Sequence, residues 1–343
     1  MIIGVCGYGA TGSSAVVGLL KEFSGLQVYD DAEFKYAYKV DGLQDLEYHL
    51  VKQYSRHVSG DMAIKRFLYS INYAYTPFVK KSVPKKAFIE LSRKYADSLI
   101  QAKWKGIESA DYEVGFLPKS MCNLGFKKII FPNYERIFKK TYDMWPAREL
   151  YLSIEPEDFY KKTKDYIRNL LLAMGADLSK PIVLDQPFEG NAPQNSFSFF
   201  DNPKAIVVDR DPRDLFLVSK YAVRAKGEAR FMPRTDVKKF VEYYRQLRIH
   251  QKRVDNENII FVRFEDLIYN YEHTVKRIAT FLNLGTHNMP KEYFKPEISI
   301  SNTQLHNKYM ECKDEVEYIE KELSEYLFPY ENYKKITKFG KTF

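Results

Sequence analysis

The residues best suited to chemistry stand in three places. Near the N-terminus, Gly7, Gly9 and Gly12 interrupt the run GVCGYGATGSS, Gly4 to Ser14, and Thr11, Ser13 and Ser14 bring hydroxyls to the same stretch. A turn of this kind at a helix start leaves backbone N–H groups unpaired where the helix dipole favours negative charge, so it suits a phosphate or sulfate group. In Asp209 to Ser219, DRDPRDLFLVS, Arg210 and Arg213 can each fork two N–H groups onto a phosphate, and a following hydroxyl can add a third donor. The same arginines can equally pair with Asp209, Asp211 and Asp214 as an ion network, and the stretch alone leaves both readings open. The third place is Asp185-Gln186-Pro187, with Glu189 close behind, where a carboxylate ends an apolar run.

These residues need a scaffold, and the flanking sequence predicts one. Met1 to Cys6 is an apolar run entering the glycines, and Ala15 to Phe23 is apolar-periodic, so the order is strand, tight turn, helix. Three patterns fit it. Gly7, Gly9 and Gly12 form a Gly-x-Gly-x-x-Gly dinucleotide fingerprint, with Asp30 at a suitable distance for a ribose-binding acid. They also form a P-loop in which Ser13 stands where the lysine belongs. A bare βα turn that binds nothing is the plain alternative.

Leu26 to Tyr29 predicts a second strand. From there to about Lys180 the segments LEYHLVKQY, AIKRFLYSINYAY, KAFIELSRKYADSLIQA and KKTKDYIRNLLLAM read as amphipathic helices, and clear strands are hard to find. A dinucleotide-binding unit would continue with βαβ repeats at short intervals, so this interval argues against it. The aromatic residues of the interval, read at helical spacing, suit either a core stripe or an acceptor pocket. Strands return at Pro181 to Leu184, Ala205 to Val208 and Asn258 to Val262. Helices follow, with apolar faces at Val237, Phe240, Val241, Tyr244 and Leu247, at Val275, Ile278 and Leu282, and at Val316, Ile319, Leu323 and Leu327. Thr235 or Asp236 is the expected cap of the first of these, and Gly285 the expected stop of the second.

Bulk properties set limits. The chain has 343 residues, 45% of them hydrophobic, enough for a sizeable core. With 53 Lys and Arg against 45 Asp and Glu, the formal charge of +8 favours an anionic ligand and is compatible with peripheral membrane contact. The basic residues are scattered among acids, so nucleic acid is not the expected partner. Three distant cysteines, Cys6, Cys122 and Cys312, argue against a disulfide framework and a cysteine zinc site, and for a reducing compartment. No apolar run has the length of a membrane span and no basic leader precedes the first strand, so the expected location is the cytoplasm.

Three of these stretches, in order, resemble sulfotransferases that use 3′-phosphoadenosine 5′-phosphosulfate (PAPS). Thr11, Gly12, Ser13 and Ser14 match the Ser-Gly-Thr-Thr of the family's 5′-phosphosulfate loop. IVVDRDPRDLFLVSKY is similar to its 3′-phosphate motif, and FVRFEDLIYNYEHTVKRIATFLNL to its Arg-Tyr-Glu-Asp-Leu segment with the following helix. The likeness covers roughly the first 30 and the last 160 residues. It implies that Gly9, Ala10, Thr11, Gly12, Ser13 and Ser14 hold the phosphosulfate and Arg210 the 3′-phosphate, and that Glu265 and Asp266 are structural. The loop Ser299 to Tyr309 stands where the family often has another cofactor contact.

The departures are informative. Many family members have a lysine where this chain has Ala10, so another cation, Arg213 or Lys65, is expected to meet the charge of the leaving nucleotide. The motif serine falls at Val218 by spacing, and Ser219 is one place late. Relatives place a histidine or a carboxylate base at the strand end before a proline; the matching position here is Gln186, which cannot take a proton. Asp185 is therefore the candidate base, with Glu189 behind it and His49 or His57 from the helical region as further choices; an Asp185 that merely caps a turn is the plain alternative. His250, His273, His287 and His306 are expected at the surface.

The expectation is thus an α/β fold, a central parallel sheet flanked by helices in the P-loop-like sulfotransferase manner. It forms a single domain over 1–343 with a large mainly helical insertion at 32–180 that binds the acceptor. The implied reaction moves a sulfuryl group from PAPS, leaving PAP, to a hydroxyl on a carbohydrate or glycolipid, with no metal. Rival readings are a P-loop kinase or NTPase, an NAD-dependent oxidoreductase, and a noncatalytic nucleotide-binding module.

Overall fold

A computed structural model describes residues 1–31, 33–55, 59–74, 83–106, 128–129, 131–138, 148–221 and 231–340. Cys122 and His57 lie outside the described residues. The chain divides into two compact units, 1–35 with 176–343, and 36–175.

The first unit is built on a five-stranded sheet. Its strands are β1 (Ile2–Gly7), β2 (Gln27–Tyr29) and, numbering past the two strands of the second unit, β5 (Ile182–Asp185), β6 (Pro203–Asp209) and β7 (Ile259–Arg263). The order is β2-β5-β1-β6-β7, with every pairing parallel. Central β1 is buried along its whole length, which suits its uninterrupted apolar sequence. It pairs with β5 on one side, Val5 opposite Asp185, and with β6 on the other, Gly7 opposite Val208. Three strand ends therefore meet at one edge, the place where open α/β sheets bind ligands.

Alternation along the strands sends Ile3, Val5, Val183, Ile206, Val208, Ile260 and Val262 to one face. There they pack on Val16, Val17, Leu19 and Leu20 of α1 (Ser13–Lys21) and on Val275, Ile278 and Leu282 of a helix over Tyr271–Leu282. Each such side chain contributes about 1.5–3 kcal/mol by leaving water. Helix Tyr271–Leu282 ends at Asn283, left-handed at φ 54°, two residues before the expected glycine. Asn tolerates that conformation through its short polar side chain. The expected cap at Asp236 holds: its carboxylate accepts from the Lys239 N–H at the start of Val237–Gln246.

The second unit holds helices Ser59–Ala74, Lys85–Leu99 and Phe159–Ala173 and an antiparallel pair of strands, β3 (Ala102–Gly106) and β4 (Arg148–Leu152). The pair went unread because Ala102–Gly106, AKWKG, is short, mostly exposed and carries no continuous apolar run. The tyrosine stripe is core. Tyr95 and Tyr166 stack at 4.5 Å between ring centres, and their hydroxyls bond Thr163 at 2.8 Å and Ser92 at 2.7 Å. Buried phenols need such partners, and burial drives both pKa values up.

Candidate functional site

The glycine turn is shaped from below. Gly12 sits at φ 95°, and a Cβ there would lie 2.5 Å from the Phe264 ring, so neither backbone nor space admits a side chain. At Gly7 a Cβ would come within 2.3 Å of Thr11 Oγ1. Thr11 is buried and accepts the Tyr8 N–H at 3.3 Å. The backbone N–H groups from Gly9 to Ser14 form no hydrogen bond with other described residues. They lie at the start of a nine-residue helix, where donors without partners, part-buried or buried from Gly9 to Ser13, suit an anion.

Gln186 is a part of the site that sequence reasoning set aside. It adopts φ 52°, accepts the Gly7 N–H through Oε1 at 3.3 Å and donates through Nε2 to Ser13 Oγ at 3.0 Å. The β5 end thereby clamps the turn. Its left-handed backbone had no glycine to signal it.

Asp185, one residue earlier, is the opposite case. Its Oδ1 is buried and has no partner among the described residues. Burial, with Glu33 and Asp30 adding repulsion against the pull of Lys35, pushes its pKa up to about 7. Burial also raises the pKa of Glu189.

At the β6 end every carboxylate is engaged. Asp209 receives Arg248 in a two-pronged pair at 2.8 and 3.0 Å, the Arg210 N–H at 2.8 Å, and the Arg253 guanidinium. Asp211 binds Arg213 at 2.7 and 2.9 Å and the Phe328 N–H at 2.8 Å. Asp214 takes the N–H groups of Gln304 and Leu305 at 3.1 and 2.7 Å and the Tyr330 hydroxyl. Glu265, after β7, accepts the Asp211 N–H at 3.0 Å, and burial beside Asp211 and Asp214 pushes its pKa up to about 8.

Arg210 and Arg213, alike in sequence, diverge here. Arg210 donates to the carbonyl of Ala10 at 3.3 Å and to that of Asn302, with its guanidinium 4.9 Å from the centre of the Phe264 ring. It joins the glycine turn to the Ser299 to Tyr309 stretch. Arg213 instead binds Asp211, Glu320 at 2.9 Å and the Phe328 carbonyl at 2.9 Å, which gives it a structural post rather than the expected place on a nucleotide. Ser219 is fully buried and donates to the Phe216 carbonyl of its own helix at 2.7 Å, so its hydroxyl turns inward. Lys65, in the second unit, pairs with Asp61 at 2.7 Å. Asp30 is held by Lys21 at 2.5 Å rather than standing open for a ribose. His287 is not a surface residue: it stacks on Phe23 at 4.6 Å and bonds buried Glu22 at 2.6 Å.

Two more residues went unread. Arg248 has a side chain with no exposure, enclosed by the rings of Tyr8 at 3.9 Å and Tyr244 at 3.5 Å. Gln251 accepts the Tyr8 hydroxyl and donates to the Gly190 carbonyl at 2.9 Å. Both precede β7 in a stretch whose only sequence signal is charge. Among the described residues, no group of three His, Cys, Asp or Glu could hold a metal, and no helix is long and apolar enough to cross a membrane.

Residues 194–288 match the model of the Sulfotransferase family. The match contains β6 with Arg210 and β7 with Arg263 to Leu267, so the resemblance read from the motifs stands on this segment. The chain is also similar to three solved structures. The sulfotransferase domain of the Synechococcus PCC 7002 olefin synthase is 12% identical, with 88% of this chain and 87% of that one covered at a TM-score of 0.40. A sulfotransferase domain from the curacin biosynthetic pathway is 14% identical over 96% and 98%, at 0.39. A retinol dehydratase in complex with androsterone and the inactive cofactor PAP is 13% identical over 92% and 69%, at 0.32. No curated protein sequence matches the chain.

Proposed function

We propose that the chain transfers a sulfuryl group from PAPS to an acceptor hydroxyl. The observation that carries this reading is the meeting at one sheet edge of a turn with unpaired N–H groups, a buried arginine behind it and a carboxylate with a raised pKa. PAPS supplies the sulfuryl group and a phosphate leaving group. The N–H groups of Gly9 to Ser14 and the hydroxyls of Ser13 and Ser14 would hold its phosphosulfate, and Arg210 lies beside that turn to meet the 3′-phosphate. Fixed donors aimed at developing charge lower a barrier without reorganising, and the left-handed glycines hold them fixed.

Asp185 is the base in this reading. A carboxylate near neutrality can take a hydroxyl proton and still be ionised at working pH, whereas an ordinary aspartate is too weak a base. The acceptor class we favour is a carbohydrate or glycolipid hydroxyl. With the tyrosine stripe buried, the support comes from the rings that unit 36–175 exposes, Tyr48, Tyr54, Tyr69 and Trp104, whose faces can stack on sugars. The protein then works in the cytoplasm, against soluble acceptors or at a membrane surface.

Thermal-shift titration with PAP, with ATP plus magnesium, and with NAD tests the reading. PAP is expected to raise the melting temperature; stabilisation by ATP or NAD and none by PAP would replace this function with a phosphotransferase or an oxidoreductase. Labelled PAPS with a panel of glycans and glycolipids then identifies the acceptor.

A further inference from the structure

The side-chain amide of Gln186 reaches from the end of β5 to Gly7, where the glycine turn begins, and to Ser13, where α1 begins. We infer that Gln186 is a positioning residue that turns the Ser13 hydroxyl proton toward the anion held by the turn; this rests on the reading of the turn as a PAPS site.

Donors and acceptors fix the direction of the amide. The Gly7 N–H can only donate, so the amide atom 3.3 Å from it is the oxygen, Oε1. The other end is then the NH₂ group, which also can only donate, and it lies 3.0 Å from Ser13 Oγ. Ser13 Oγ therefore accepts from Gln186 and keeps its own hydrogen. That hydrogen has no acceptor among the described residues, and Ser13 is only part-buried at the first position of α1. It joins the unpartnered N–H groups of Gly9 to Ser14 as one more donor for the same anion.

The amide is held firmly in this place. Gln186 is 7% exposed, and its backbone N–H is fixed to the Val5 carbonyl at 2.7 Å. Its backbone at φ 52° is one that glycine adopts without cost, so the side chain is carried here against backbone strain. A carboxylate in its place would accept from Ser13 and draw the hydroxyl proton out of the turn. The end of β5 thus divides two tasks between neighbours: Asp185 has the open oxygen that can take a proton, and Gln186 has the NH₂ group that can only give a hydrogen bond. A donor held in this way meets the anion without reorganising.

The test is a double-mutant cycle on the full chain, with PAP and adenosine 3′-phosphate, which lacks the 5′ group, titrated by calorimetry. Ser13→Ala is expected to weaken PAP about tenfold, the worth of one hydrogen bond to a charged group. In a Gln186→Glu background at about pH 8.5, where the new carboxylate is ionised, Ser13→Ala should cost less than about twofold, because the hydroxyl is already turned away. Toward about pH 5.5 burial lets that carboxylate take up a proton and donate again, and most of the tenfold cost should return. A packing role would not follow pH in this way. Adenosine 3′-phosphate should change by less than about twofold throughout, since it has no 5′ group for the hydroxyl to meet. If Gln186→Glu fails to fold, Gln186→Met removes the donor instead, and the cost of Ser13→Ala should fall at least about threefold. No effect of Ser13→Ala on PAP, the same cost in every background, or equal weakening of both ligands would overturn the inference. A wild-type protein that binds adenosine 3′-phosphate but gains nothing from the 5′ group would also overturn it, and one that binds neither would instead remove the PAPS site on which it stands.

Discussion

The ends of β5 and β6 lie on either side of β1 and both carry aspartates, yet they are treated oppositely. At β6, Asp209, Asp211 and Asp214 are saturated by arginines, backbone N–H groups and Tyr330. At β5, Asp185 keeps a buried oxygen without a partner among the described residues and has no bonded cation to hold its charge. A saturated carboxylate fixes structure, because its lone pairs are already spent on donors that the fold holds in place. An unsaturated one near neutrality is costly to keep and ready to react, the condition expected at a functional position.

This contrast can be broken by mutation. The largest effect is expected for Asp185→Asn: turnover with PAPS should fall by about 10²–10⁴-fold, the usual worth of a general base, while PAP affinity stays within about twofold. Initial rates and calorimetric titration check both halves. Wild-type turnover should also rise with pH by close to tenfold per unit below about 7 and level off above it, because the base must be ionised and its pKa is about 7. A flat profile from mildly acid to neutral pH would take that role from Asp185.

On the saturated side, Asp211→Asn should take from buried Arg213 its buried carboxylate and leave it only the part-exposed Glu320, costing up to about 3–5 kcal/mol of stability. Urea unfolding measures this, and Asp185→Asn in the same assay should be neutral or stabilising, since it removes a charge that folding leaves uncompensated. A loss of similar size in both variants would erase the distinction. The smallest effect belongs to Ser219→Ala, which deletes a single hydrogen bond within its own helix. It should cost about 0.5–1.5 kcal/mol and leave PAP affinity unchanged. A tenfold loss of PAP affinity would put Ser219 back on the nucleotide.

Much of this was legible in sequence. Strands at Met1 to Cys6, Leu26 to Tyr29, Pro181 to Leu184, Ala205 to Val208 and Asn258 to Val262 were read close to their observed bounds, because buried parallel strands are continuous apolar runs between turn residues. The glycine turn was legible because left-handed backbone selects residue types, although Ala10 and Gln186 adopt the same conformation without glycine's signal. Asp185 was nominated from its place at a strand end.

The sequence by itself determined the strand–turn–helix start, the parallel α/β class and the clustering of charge after β6, since each depends on neighbours within a few residues. Only the tertiary structure decided how that charge is spent. Arg210 and Arg213 differ by three positions and share a helix start, but one meets Ala10 and the other Asp211, Glu320 and Phe328. Arg248 packs on Tyr8 of the turn from some 240 positions later in the chain, and no local pattern records a pairing of that length. Electrostatic partners are chosen by distance in space, and spacing along the chain carries that information only where the chain stays local.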